Sequence, residues 1–134
     1  MPVIDASVFV AVVNHADRHH APCRTWFEEA LSQGNRPIAP SILVSETAAA
    51  ISRGVNDAAL ALAVTAALAE STIVELVPIT AALATTAADI AATYRIRGCD
   101  AIYVALAASV DEPLVTLDRQ QGARASELIK IYSP

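Results

Sequence analysis

Five short apolar runs recur along this chain, and stretches long enough for one or two helices separate most of them. The runs are Pro2–Asp5, Pro37–Pro40, Val74–Ile79, Pro113–Leu117 and Leu128–Tyr132. Continuous apolar runs of this length suit strands buried on both faces. Strands that alternate with helices predict a parallel sheet covered by helices on both sides. The chain has 134 residues, enough for one domain with a real core.

The intervening segments carry helix signals. Ala6–Val13 reads as a buried helix. Asp17 opens a polar turn, and a helix from about His19 to Gln33 follows, with Gly34 at its end. Ser41 is expected to cap a helix through about Arg53, and Asn56-Asp57 to cap another as far as about Ser71. Thr80 begins a long helix to about Arg97, with Gly98 as its stop. Asp100–Val110 is again helical, and Asp118 leads a short polar helix.

Composition closes off several classes. Apolar residues make up 54% and charged residues 17%, far from a disordered chain. The longest apolar run, within Ala58–Ala69, falls short of the roughly 18 residues that a membrane span needs. No basic stretch precedes the first apolar residues, so a signal peptide is not expected. Two cysteines, Cys23 and Cys99, are too few for a disulfide framework. The expectation is a reduced, cytoplasmic protein.

Acids stand at the ends of the apolar runs. Asp5 closes the first and Asp118 follows Leu117, while Asp100 opens the helix that leads into the fourth. In open parallel sheets, ligands bind beyond the carboxyl ends of the strands. Each Asp also precedes a predicted helix, where Asp is a favoured cap; Asp118 even has Gln121 three residues on, close to a capping box. Capping alone does not require the three to converge, whereas binding a metal does. Glu46 adds to the case. Its helical neighbours Ile42, Leu43, Ala49 and Ala50 are apolar, so the spacing predicts a place on the buried stripe. A buried carboxylate is costly unless it is paired, protonated or metal-bound, and other carboxylates nearby add repulsion. A hard divalent ion with oxygen ligands meets that need.

The order Val-Ile-Asp5-Ala-Ser7, then Ser45-Glu46, then Arg97-Gly98-Cys99-Asp100-Ala-Ile-Tyr-Val-Ala-Leu-Ala, then Leu-Val-Thr116-Leu-Asp118 resembles the PIN domain family. More narrowly it resembles the VapC toxins of type II toxin–antitoxin pairs. The resemblance covers nearly the whole chain and is most specific from Gly98 to Asp118. It implies a three-layer α/β/α fold around a parallel sheet of about five short strands. It also implies a ribonuclease dependent on Mg²⁺ or Mn²⁺. On that pattern Asp5, Asp100 and Asp118 ligate metal directly, and Glu46 acts through water. Ser7 and Thr116 match auxiliary polar positions. The same resemblance implies a homodimer and a small antitoxin whose tail blocks the acidic groove.

Charge bears on the substrate. The formal net charge is −5, and without those four acids it becomes −1. The remainder is nearly neutral, so non-specific binding of RNA is expected to be weak. Arg95, Arg97 and Arg119 are the candidates for steering phosphates, and Tyr103, one turn after Asp100, for stacking a base. Arginines at helix ends also suit the helix dipole, and aromatic residues at helical spacing usually belong to the core.

Rival readings have thinner support. His15, His19 and Cys23 recur every four residues, but Asp17 interrupts the face, which leaves too few ligands for structural zinc. Gly-rich phosphate loops are missing. A phospho-receiver needs a lysine on a late strand or loop, and the only lysine is Lys130. An aspartyl phosphatase usually carries a second Asp two residues on, where Ser7 stands here. A silent binding module and a small metal-dependent phosphoesterase remain as alternatives.

Overall fold

A computed structural model describes every residue from Met1 to Pro134. Five strands form one parallel sheet: β1 (Val3–Ile4), β2 (Ile38–Pro40), β3 (Glu75–Val77), β4 (Leu114–Val115) and β5 (Ile131–Tyr132). Their spatial order is β3-β2-β1-β4-β5. Val3 pairs with Ile38 on one side and Leu114 on the other. Seven helices accompany them: α1 (Ala6–Val13), α2 (His20–Ser32), α3 (Leu43–Val55), α4 (Ala58–Glu70), α5 (Ala81–Tyr94), α6 (Gly98–Val110) and α7 (Arg119–Ala125). The result is the expected three-layer α/β/α architecture with a five-stranded sheet.

The strands are shorter than the apolar runs that contain them, because the ends of each run serve as turns and caps. Val3, Ile4 and Leu114 are fully buried, as central strands of a parallel sheet require. The first two crossovers carry the chain outward from β1 through β2 to β3. The third returns it to the other side of β1, so the topology switches between β1 and β4. α6 lies on β1, β2 and β4, and α1 packs against α2 and α3.

Several helix ends follow the expected chemistry. Asp57 accepts from the Leu60 amide at 2.9 Å and Thr80 from the Leu83 amide at 3.1 Å. Gly34 has a φ of +75° beyond the end of α2, where the Asn35 and Gly34 amides close onto Ala30 and Leu31. Two ends differ. Ser41 offers only its carbonyl, to the Val44 amide, and Ile42 stands at the cap position of α3. The long helix from Thr80 stops at Tyr94 rather than Arg97, and Gly98 starts α6 instead of ending α5. Arg95 turns the chain with a left-handed φ of 56°, and buried Ile96 pulls it back to the core.

Candidate active site

Asp5 follows β1 and Asp118 follows β4, so both stand at the carboxyl ends of the two strands that flank the switch point. Asp5, Ser7, Glu46, Asp100 and Asp118 line one cleft of about 590 Å³. Their helices supply the geometry. Asp5 caps α1 through the Val8 amide at 3.2 Å. Asp118 caps α7 through the Gln120 and Gln121 amides at 2.9 and 3.0 Å. Capping and convergence therefore coexist in the same side chains. Asp100 does not cap: Arg97 holds the cap position of α6 and Asp100 lies within the first turn.

Asp5 is only 5% exposed. Ser7 Oγ donates to its Oδ1 at 2.6 Å and Thr116 Oγ1 donates to its Oδ2 at 2.5 Å. Those same hydroxyls accept from the next stretch of main chain. The Leu117 amide donates to Ser7 Oγ and the Asp118 amide to Thr116 Oγ1, each at 3.0 Å. Ser7 and Thr116 thus tie β1 to the turn after β4, as auxiliary positions should. Burial pushes the Asp5 carboxyl above its ordinary pKa, and the Asp100 charge adds to the rise. Three hydrogen bonds oppose the shift without reversing it.

Arg97 lies between two of the acids. Its Nε donates to Asp100 Oδ2 at 2.9 Å, and its Nη2 is 3.7 Å from Asp118 Oδ2. The bond to Asp100 raises the guanidinium pKa further. The Arg97 side chain is 79% exposed, so the pairing is a solvent-screened one that little energy holds in place.

Glu46 is half-buried beside the apolar stripe of α3 rather than on it. The stripe consists of Leu43, Thr47 and Ile51, which turns the Glu46 carboxylate to the cleft. Tyr103 Oη donates to Glu46 Oε2 at 2.5 Å. Tyr103 itself is 1% exposed. Its ring therefore belongs to the core and offers no face to a base; only the hydroxyl reaches the site. Burial, then the bond to Glu46, raises the tyrosine pKa well above its ordinary value.

Of the three arginines singled out in the sequence, only Arg97 lines the cleft. Arg95 ends α5, where its carbonyl accepts from Arg124. Arg119 is exposed at the start of α7, outside the lining. Arg53 and Gln121 are among the lining residues that went unassigned in the sequence. Arg53 stands seven residues after Glu46, two turns along the same helical face, so its spacing was a usable signal. Gln121 was visible only as part of a cap. Trp26 and Tyr132 line a different cleft. Around the His15, His19 and Cys23 spacing set aside as a zinc site, Cys23 is buried and His20 Nδ1 lies 2.8 Å from the Ala11 carbonyl oxygen.

No three His, Cys, Asp or Glu side chains close on one point tightly enough to grip an ion together. The donor set nonetheless suits a hard divalent ion. It is all oxygen, it surrounds one cleft, and its most buried member resists ionisation in the absence of a cation. Mg²⁺ normally keeps several waters and takes only one or two carboxylates directly.

In an open parallel α/β sheet the switch point is where ligands bind, and here that point carries the acids. The chain belongs to the PIN domain family, whose model matches residues 3–127. No sequence among the curated proteins matches it. Among solved structures, the sarcin-ricin loop cleaving toxin VapC20 of Mycobacterium tuberculosis superposes with a TM-score of 0.76 at 19% identity, over 92% of this chain and 94% of that one. VapBC2 of Rickettsia felis, bound to a DNA fragment from its promoter, gives 0.74 at 14% identity, over 98% and 97%. DNA-bound VapBC of Salmonella typhimurium gives 0.70 at 19%, over 99% and 98%. The fold is therefore that of the VapC structures.

Proposed function

We propose that this protein is a metal-dependent endoribonuclease, a VapC-like toxin that a small antitoxin holds inactive. The observation that carries the reading is the meeting of Asp5, Glu46, Asp100 and Asp118 around one cleft at the switch point. Asp5, Asp100 and Asp118 would hold Mg²⁺ or Mn²⁺, with Glu46 acting through water. A bound divalent cation lowers the pKa of water and neutralises the charge that builds on a phosphate under attack. Ser7 and the Val8 amide both occupy Asp5 Oδ1 and Thr116 holds Oδ2 by one lone pair, which leaves the second lone pair of Oδ2 free. Tyr103 fixes Glu46 by Oε2, so Oε1 is the atom available to take a proton from the attacking water. Arg97 and Arg53, at the rim of the cleft, are the cations for the phosphates on either side.

The structural likeness to a toxin named for cleaving the sarcin-ricin loop favours an RNA substrate. Likeness to two VapBC complexes favours an antitoxin partner. Leu60 and Leu62 on α4, 43% and 69% exposed, are the apolar surface on which a homodimer would form. Cytoplasmic residence fits two free thiols, and no helix is long and apolar enough to cross a membrane.

The test incubates protein purified free of any antitoxin with total RNA and defined oligonucleotides, in Mg²⁺ and in EDTA. Cleavage is expected in Mg²⁺ alone, and Asp100→Asn should reduce it by about a hundredfold or more. Full activity in Asp100→Asn would sink the mechanism. Turnover of a small phosphoester with all RNA intact would favour the phosphoesterase alternative. Binding of RNA without cleavage would favour a silent module.

A further inference from the structure

We propose that Gln121 is a positioning residue that sets the spacing between the Asp100 arm of the metal site and the Asp5–Asp118 arm. The inference rests on the metal-site reading above. The two arms come from separate parts of the fold. Asp5 and Asp118 follow adjacent strands and are tied together by Ser7 and Thr116. Asp100 rides on α6, and no side chain of that hydroxyl network reaches it. Its only charged partner is Arg97, which is too exposed to hold it at a fixed distance.

Gln121 spans that gap. Gln121 is 4% exposed. Gln121 Nε2 donates to the Asp100 main-chain carbonyl at 3.3 Å, while its Oε1 lies 3.2 Å from Thr116 Oγ1, whose single proton points to Asp5 at the shorter 2.5 Å. One amide therefore touches the main chain of one ligand and the orienting hydroxyl of another. The backbone beneath it has little freedom. The Gln121 amide is pinned by Asp118, and a Cβ on the next residue, Gly122, would come within 3.1 Å of Ile131 Cγ2. A buried amide in an otherwise apolar helix face is costly unless its bonds are made. A methionine of the same length would fill the space without that cost. The amide joins α6 to the hydroxyl network around Asp5, a link that methionine would lack.

The experiment is a calorimetric titration with MnCl₂ alone, run on the wild type, Gln121→Met and Ile90→Val. Ile90→Val trims one buried methyl on α5, outside the cleft, and controls for general loss of stability. Gln121→Met is expected to weaken Mn²⁺ binding about tenfold or more, as loss of groups that orient metal ligands usually does. Ile90→Val should bind as the wild type does. Unchanged Mn²⁺ affinity in a folded Gln121→Met would overturn the proposal and leave the nuclease reading intact. A wild type that binds no Mn²⁺ would overturn both. A second measurement needs no variant. In the wild type, the Gln121 side-chain amide signals should shift on addition of Mg²⁺ and exchange slowly with solvent; fast exchange and no shift would also defeat the proposal.

Discussion

Thr47 illustrates how individual residues depart from the patterns that surround them. It occupies the centre of the buried stripe of α3, fully buried, and its Oγ1 has no hydrogen-bond partner. A buried hydroxyl left unpaired costs about 1–3 kcal/mol. Thr47→Val removes the hydroxyl and keeps the shape, so it should raise stability by about 1 kcal/mol in urea unfolding. An unchanged or lower midpoint would mean that the hydroxyl has a partner in solution. The residues of the site were legible to different degrees. An Asp directly after a β-branched run announces itself, because a strand's carboxyl end is where a parallel sheet binds. Glu46 was found from its apolar neighbours, although the stripe proved to run through Leu43, Thr47 and Ile51 beside it. Tyr103 was misjudged, since only tertiary packing decides whether an aromatic ring faces outward. Gln121 was unreadable as a bridge because its two partners, Asp100 and Thr116, are distant from each other in sequence.

At the scale of elements, α7 begins on a carboxylate that caps it and that the proposed function also assigns to the metal. Asp118 holds the first turn of this seven-residue helix through two amides. Loss of such a cap costs about 1 kcal/mol. Asp118→Ala should therefore lose both stability and metal binding. Asp118→Asn keeps an equally good cap and should lose metal binding alone. Thermal melts and a Mn²⁺ titration on both variants check the separation; equal melting points for Ala and Asn would show that the cap contributes nothing. The alternation of strands and helices was readable throughout, because burial on both faces demands unbroken apolar runs. The break between α5 and α6 was not. A glycine usually marks a helix end, but here a left-handed arginine takes that role and Gly98 begins the next helix. Propensity gives no warning of a non-glycine turn that a buried isoleucine enforces.

For the molecule as a whole, the two thiols report on integrity. Cys23 is fully buried and Cys99 exposed at the cleft. A thiol reagent at neutral pH should consume one equivalent in the native protein and the second only after unfolding. Burial pushes the Cys23 thiol up to about 11 from an ordinary 9.0. Between those values the unfolded chain has released this proton and the folded chain retains it. Folding stability should therefore fall as pH rises from 9.0 towards 11. Denaturant melts across that window check the sign, and Cys23→Ala should flatten the slope.

The bond from Thr116 to Asp5 joins residues 111 positions apart. No partial chain that lacks either end of that span can build the cleft. During synthesis the first acid leaves the ribosome early and then waits for nearly all the rest of the sheet. Under the proposed ribonuclease reading such a delay has a use: the growing chain stays harmless to the machine that makes it until β4 and α7 have emerged and joined β1.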